Sequence, residues 1–418
     1  MIDSSFSHLR RYWPWLTILL VTVAYYHRFI KLPAGMLDYP HAASCLLQQQ
    51  PLQVCQLPFT YPPIFAFLML PFYPLPLWLR DVAWYLITVG ATIGAFQFSE
   101  RIALGVLPSP LNAKELIWFR CLALLLTSKL ILAVFENQAY DALVMFFIVA
   151  GLAALMSGRE AWGGASLAFA AAVKATPLIF LPYLLWKRHF MAAVVFIVVF
   201  FVASFAPDLF FTPRGAQHGY FVAWLIDVAG GSFGVAHAKF PFWYGSNILN
   251  HSLHGAVSLN IDETKQQTLH HEVLYTIDAI FILIVGTMIV LSPRRNASIA
   301  IDGSLLLISM LMLSPMTSRT HYVTLTLPYY VLVLAWIRDR RFRILGGVVL
   351  FLGFLFSAGF QRDIVPFAIV DFFRRHEDGI AAALVLLIYF GVIIANPRCW
   401  NFEPDAMASK DEPVRQAS

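Results

Sequence analysis

The sequence predicts an all-α integral membrane protein, a bundle of many membrane-spanning helices, and three observations carry that prediction. Of 418 residues, 59% are hydrophobic and 13% charged, against roughly 25% charged in soluble domains. The apolar residues fall in long runs, many close to the roughly 20 residues a helix needs to cross a bilayer. Alternating ten-residue segments, the mark of a membrane β-barrel, do not occur. Mean hydropathy is +0.69, so most of this chain has lipid as its solvent.

The elements follow in order as one membrane domain over 1–418. The first run, Tyr12–Ile30, is rich in Trp and Tyr and no small-x-small cleavage site follows it, so it reads as a retained helix and not a signal peptide. Residues 31–80 then form an outer loop and a hairpin. The hairpin, "YPPIFAFLMLPFYPLP" at 61–76, contains five prolines, each without a backbone N–H; it reads as a short helix that dips into the outer leaflet and returns. Spans are expected at Val82–Gln97, Leu116–Phe135, His189–Ala206, Glu272–Leu291 and His321–Ile337. A second hairpin, 161–186, has two halves too short to span comfortably, meeting at Lys174-Ala175-Thr176-Pro177. Non-helical backbone at membrane depth is tolerated only against protein or a water-filled cavity, so this apex is an expected cavity wall. The long loop 207–271 carries an amphipathic piece, "FVAWLIDVAGG", expected to lie on the membrane surface. Residues 397–418 read as a cytoplasmic tail.

Orientation follows from charge. The basic loops Arg10-Arg11, Lys187-Arg188, Arg294-Arg295 and "RDRRFR" at 338–343 belong on the cytoplasmic side of a bacterial inner membrane. Arg120 and Lys129 fall within a span. With two hairpins that do not cross, about ten spans remain and both termini are cytoplasmic. The polar clusters then gather on the outer face: the loop containing "GMLDYPHA" (35–42), "FENQAY" (135–140), the long loop, "SPMTSRTHY" (314–322) and 361–378. The net charge of +5 therefore sets topology and implies no nucleic-acid partner. Of the four cysteines, Cys45 and Cys55 share the first outer loop. They are either a disulfide, if that loop is periplasmic, or two small apolar residues. No CxxC spacing indicates a zinc or redox site.

Several residues on that face have chemistry to offer. Asp38, among Met36, Leu37 and Tyr39, has the apolar surroundings that raise a carboxylate's proton affinity and suit a general base. It also suits the N-cap of a helix with proline at its second position. Lys174 stands at the apex of the second hairpin, and an ionisable residue at membrane depth is a functional candidate. Arg319 and His321 can hold a phosphate, or snorkel at the interface. Asn137 and Gln138 fit sugar hydroxyls, or an ordinary turn. Asn250 and His251 in "GSNILNHSLHG", with Tyr61 of the proline-rich hairpin, complete the substrate-binding candidates. Neither Glu136 with Asp141 nor Asp262 with Glu263 has the makings of a Mg²⁺ or Mn²⁺ site, and neither metal nor cofactor is expected. No P-loop, dinucleotide fingerprint or GxSxG occurs, and no soluble domain exists to take a cytosolic nucleotide sugar. Sugar chemistry at the outer face would need a lipid-linked donor.

The order "LDYPHAASCLLQQQPLQVCQLPFTYPPIFAFLMLPF", "ENQAYDALVMFF", "AWGGASLAFAAAVKATPLIFLPYLLWKR", "SNILNHSLHG", "LSPMTSRTHYVTLTLP" resembles the bacterial polyprenyl-phosphate-mannose-dependent α-mannosyltransferases, glycosyltransferase family 87 of the GT-C class, from about residue 35 to 340. The resemblance implies a GT-C multi-span bundle with a periplasmic active site. It implies a polyprenyl-phosphate sugar donor, commonly mannose, a lipid or glycan acceptor in the bilayer, and inversion at the anomeric carbon. It implies that Asp38 is the general base and that Lys174 and His321 face the donor phosphate. The chain departs from the family pattern at Pro40-His41, where Val-Tyr is usual, at Asn137-Gln138-Ala139-Tyr140, where Gly-Gln-x-Asn is usual, and at Arg319, where Trp is usual. Two other readings fit the same features: a flippase or transporter of lipid-linked sugars, which also uses broken helices, and an O-antigen-ligase-like enzyme with a large periplasmic loop.

Overall fold

The computed structural model describes residues 29–30, 34–55, 59–230, 250–261, 265–293, 298–338, 343–359 and 378–395. Among the described residues there are helices and turns and no strand. The helices are α1 (Ala34–Leu47), α2 (Leu52–Cys55), α3 (Pro63–Leu68), α4 (Leu77–Leu104), α5 (Ala113–Glu136), α6 (Asp141–Met156), α7 (Glu160–Val173), α8 (Phe180–Trp186), α9 (Phe190–Phe210), α10 (Tyr220–Trp224), α11 (Leu253–Asn260), α12 (Gln267–Leu291), α13 (Ile299–Met312), α14 (Thr326–Arg338), α15 (Arg343–Phe354) and α16 (Asp378–Ala395). Two 3₁₀ segments, Thr176–Ile179 and Arg319–Leu325, precede α8 and α14, and two π-helical turns, Leu225–Gly230 and Leu355–Gly359, follow α10 and α15.

Five stretches among the described residues are long and apolar enough to cross a membrane: Leu77–Leu104, Ala113–Glu136, Phe190–Phe210, Gln267–Leu291 and Arg319–Arg338. Six shorter apolar helical stretches accompany them, and the chain is a multi-pass membrane protein. Four of the long stretches contain an expected span and extend it, and Phe190–Phe210 begins one residue inside the expected His189–Ala206 and runs four residues past it. In α4 the extensions carry Arg80, Asp81, Glu100 and Arg101, polar residues that end an apolar run without ending a helix. The first expected span, Tyr12–Ile30, lies outside the described residues apart from Phe29 and Ile30, as do 361–377 and the tail 397–418.

Two short helices form the middle of the bundle. Every residue of α13 is buried, and α14 is buried from Thr326 to Ala335. A helix apolar on all sides belongs where protein surrounds it. By contrast α9 points Phe190, Val194, Val198, Phe201, Val202 and Leu209 outward, an arrangement that costs nothing when the surroundings are acyl chains. The charges inside the bundle are paired: Arg120 makes a two-pronged contact with Glu100.

The second hairpin packs through small residues. A Cβ at Gly164 of α7 would collide with the backbone carbonyl of Ala192 on α9, and one at Gly151 of α6 would come within 2.8 Å of Leu167 Cγ on α7. Because lipid is as apolar as leucine, close backbone approach of this kind is the main source of helix association in membranes. The hydroxyl of Ser166 donates to Phe147 O (2.7 Å), and His189 Nδ1 lies 3.0 Å from Glu160 Oε1. The half-length helix α7 is thereby fixed on both flanks, and its C-terminal apex is held in place.

Three sequence expectations are corrected. Asp38 is not an N-cap: α1 begins at Ala34 and carries Pro40 in its interior. The long loop is shorter than 207–271, because α9 continues through Pro207 to Phe210 and α12 starts at Gln267. Lys187, read as a loop cation, is buried, its Nζ 3.0 Å from both Asp302 Oδ2 and Ser292 O. The amphipathic piece of that loop is helical from Tyr220 to Gly230, and Cys45 and Cys55 form a disulfide.

Gly164→Val should push α7 away from α9. The expected result is a thermal midpoint in detergent lowered by several degrees, with Gly158→Val, whose site has open space around it but a positive φ of 72°, showing a smaller loss of the order expected for backbone strain alone, about 1–2 kcal/mol.

Candidate active site

Helix α1 is pinned by one glutamine. Gln138, in the turn between α5 and α6, has φ 49° and is buried. Its Oε1 accepts from Met36 N (2.9 Å), and its Nε2 donates to Phe29 O (3.1 Å) and Asp81 Oδ1 (2.9 Å). Its backbone carbonyl accepts from Trp84 Nε1 (2.8 Å). Gly35 is required at the start of α1, because a Cβ there would lie 2.8 Å from Gln138 Cβ and O. The amide expected on a sugar is therefore occupied by protein, joining α1, α4 and the α5–α6 turn. Asn137 is exposed and its Nδ2 donates to Ala133 O (2.8 Å), closing the end of α5.

On this footing α1 turns Tyr39 inward and leaves Asp38 exposed. Burial by neighbouring atoms pushes the Asp38 carboxyl up, and the charge of His41 offsets part of the rise. Tyr39, Tyr61, Phe65, Trp84 and Tyr140 make an aromatic box, with Tyr61 centred 5.8 Å from Tyr39 and 5.0 Å from Tyr140. Such edge-to-face contacts add specificity to apolar burial. The Tyr61 phenol is pushed up to about 12, chiefly by burial, then by the negative charge of Asp141, with Tyr39 hydrogen-bonded to it and Asp38 within electrostatic reach. Tyr61 thus stands between the two carboxylates.

Asp141, the first residue of α6, is the centre of a buried polar cluster. Its Oδ1 is 2.7 Å from Lys174 Nζ and 3.7 Å from His321 Nε2, and its Oδ2 accepts from Thr320 Oγ1 (2.7 Å). Lys174 Nζ also lies 5.7 Å from the centre of the Tyr140 ring, within cation–π range. His321 Nδ1 accepts the backbone N–H of Ser318 (3.2 Å), so the neutral ring carries its proton on Nε2, toward Asp141. A carboxylate at a helix N-terminus also has the helix dipole in its favour.

The Ser-Pro segment is locked by Asn250. Its Nδ2 donates to Pro315 O (2.9 Å), and its Oδ1 accepts from Thr317 N (3.0 Å) and Ser252 Oγ (2.9 Å). His251 N donates to Thr317 O (2.6 Å) and Tyr322 Oη donates to His251 O (2.6 Å). Arg319 and His251 line a cleft beside the 3₁₀ segment, together with Lys129 and Tyr322, and His251 is within electrostatic reach of His321.

The expected residues therefore sort into groups. Asp38 and Tyr61 meet at the aromatic box, Lys174 and His321 converge on Asp141, and Arg319 and His251 share the cleft. Gln138 and Asn250 hold backbone together. Asp141, Thr320, Tyr140 and Lys129 were not singled out from the sequence. Asp141 and Lys129 carried the available signal, ionisable residues in or at the end of an apolar run. Among the described residues one His/Cys/Asp/Glu group has metal-ligand spacing, His41 with Cys45 and Cys55, but its two sulfurs are bonded to each other.

Asp141→Asn should leave Lys174 buried without its counter-charge, a loss of about 3–5 kcal/mol visible as a lower thermal midpoint in detergent. The paired replacement Asp141→Leu with Lys174→Met should regain much of it, and equal midpoints for wild type and Asp141→Asn would refute the pairing.

A family model described as glycosyltransferase family 87 matches residues 59–315. The chain is 28% identical over 220 residues to a "Polyprenol-phosphate-mannose-dependent alpha-(1-2)-phosphatidylinositol pentamannoside mannosyltransferase" of Mycobacterium tuberculosis, a match covering 52% of this chain and 49% of the relative. The chain thus spans about half the length of that curated relative. No solved structure matches the chain. The matched region runs from the aromatic box to the start of the Ser-Pro segment, and the chain belongs to glycosyltransferase family 87.

Proposed function

We propose that this protein transfers a sugar, mannose in the first instance, from a polyprenyl-phosphate donor to a hydroxyl of a lipid or glycan acceptor, with inversion, on the periplasmic face of a bacterial inner membrane. The carrying observation is the exposed Asp38 carboxylate beside an aromatic box, with the buried Asp141–Lys174–His321 cluster behind that box, in a chain of family 87. Asp38 takes the acceptor hydroxyl's proton as the oxygen attacks the anomeric carbon. The bond from that carbon to the phosphate oxygen breaks, and polyprenyl phosphate leaves with the electron pair. A phosphate monoester is a good leaving group, and cationic side chains can stabilise its charge. The faces of Tyr61 and Tyr140 suit the C–H face of a sugar. Lys174 and His321 act through Asp141, holding the field behind the donor, while Arg319 meets the phosphate. Family membership and the mannosyltransferase relative favour this reading over a flippase or an O-antigen-ligase-like enzyme.

Orientation has separate support. A disulfide persists in oxidising compartments and is rare in the cytosol, so the Cys45–Cys55 pair argues for an outward first loop. This agrees with the basic loops in the cytoplasm and with both termini there. After reduction, a membrane-impermeant maleimide should label Cys55, the partly exposed member of the pair, in right-side-out spheroplasts. Labelling confined to inverted vesicles would reverse the topology.

With polyprenyl-phosphate mannose and a suitable acceptor, Asp38→Asn should release no polyprenyl phosphate while still binding the donor. The pH profile of kcat/KM gives a second check. A base must be deprotonated, so activity falls as pH drops through its pKa. The raised Asp38 value places that acid limb above the roughly 3.9 of an unperturbed aspartate. Near wild-type turnover by Asp38→Asn would remove Asp38 from the mechanism.

A further inference from the structure

Lys129 sits in the middle of an apolar helix, seven residues before the end of α5 at Glu136, about 10 Å along the axis at 1.5 Å per residue. A cation at that depth is expensive to keep and marks a polar path or ligand. It lines the cleft that also takes Arg319 and His251. The cleft has an interior of about 40 Å³, room for a few water-sized groups. Its other walls include Leu130 of α5 and Phe356 of the π-helical turn. The lining is therefore two-sided in character: two cations and a histidine for an anion, and apolar side chains for hydrocarbon. That combination suits an amphiphile with an anionic head.

The cleft is also joined through the chain to the Asp141 cluster. Arg319 precedes Thr320 and His321, both held on Asp141, so one 3₁₀ segment separates the cleft from the Asp141 cluster. Lys174 is poorly placed to serve the same anion, since its Nζ lies 2.7 Å from the Asp141 carboxylate and that pairing cancels most of its charge.

We propose that the Lys129–Arg319 cleft seats the phosphate of the prenyl-phosphate donor, with Lys129 as a second phosphate-binding cation and the first prenyl carbons against Leu130 and Phe356. This deepens the transfer reading above and rests on it. The same chemistry, a phosphate on a lipid, is found in a phospholipid acceptor, and kinetics separate the two sources. Purified full-length Lys129→Met and Lys129→Arg are compared with wild type for KM of the polyprenyl-phosphate sugar, KM of the acceptor, and binding of polyprenyl phosphate alone. For Lys129→Met the donor KM and the Kd for polyprenyl phosphate should rise about ten- to a hundredfold, the worth of one charge-assisted hydrogen bond, with acceptor KM unchanged and Lys129→Arg restoring much of the loss. A rise in acceptor KM alone would assign the cleft to the acceptor's phosphate and overturn the proposal. So would unchanged constants in a folded Lys129→Met. A wild-type protein that fails to turn over the donor would instead refute the transfer reading, whatever Lys129 does.

Discussion

The carboxylate of Asp141 is the point on which the arrangement depends. It opens α6, receives Lys174 from the apex after α7, and receives Thr320 and His321 from the 3₁₀ segment before α14. Three parts of the chain distant in sequence are thus tied to one pair of oxygens. In water such an ion pair would be worth little. Here both partners are buried, and removing either would leave a charge with nowhere to go. The cluster therefore behaves as a junction: its net stabilisation is modest, but it fixes where three backbone breaks meet.

Helix α1 depends on a second junction of neutral groups. Gln138 uses its amide on Met36, Phe29 and Asp81 and its carbonyl on Trp84. With the Cys45–Cys55 bridge closing the other end of α1, Asp38 is presented on a helix held at both ends, the kind of support the proposed base would need. Tyr61 links the two junctions, lying within electrostatic reach of Asp38 on one side and Asp141 on the other.

Length and apolarity made the spans legible: each long helical stretch covers all or nearly all of a run read from the sequence, because burial in lipid and the α-helical period act on local stretches. Proline and glycine marked both hairpins for the same reason. The site was legible by type but not by partner. Lys174 and His321 stood out as ionisable residues at depth, yet nothing local says that both point at Asp141, 33 and 180 residues away in the chain. Gln138 and Asn250 were legible as polar and misread as ligand-facing, because a buried amide that satisfies backbone has the same composition signal as one that awaits a sugar. Asp38 fitted a cap as well as a base because proline follows it closely, but α1 starts four residues earlier and accommodates Pro40 inside, which removes the cap reading.

The irregular backbone has a common location. The apex at Lys174 and the 3₁₀ turn at Thr176–Ile179, the 3₁₀ segment Arg319–Leu325 and the π-helical turn Leu355–Gly359 all border the Asp141 cluster or the Lys129 cleft. At membrane depth a broken helix frees carbonyls that lipid cannot satisfy, so each break needs a local donor. Ser357 supplies one at the π turn, its Oγ 2.6 Å from Gly353 O and 3.2 Å from Leu126 O on α5. Thr324 Oγ1 does the same for His321 O (3.0 Å) and Thr326 Oγ1 for Val323 O (2.6 Å). An unbroken helix would turn side chains at regular intervals to lipid and protein alike. Breaking the helices here, with hydroxyl donors at the 3₁₀ segment before α14 and at the π turn, brings Lys174 and His321 to one buried carboxylate and sets Arg319 in the neighbouring cleft.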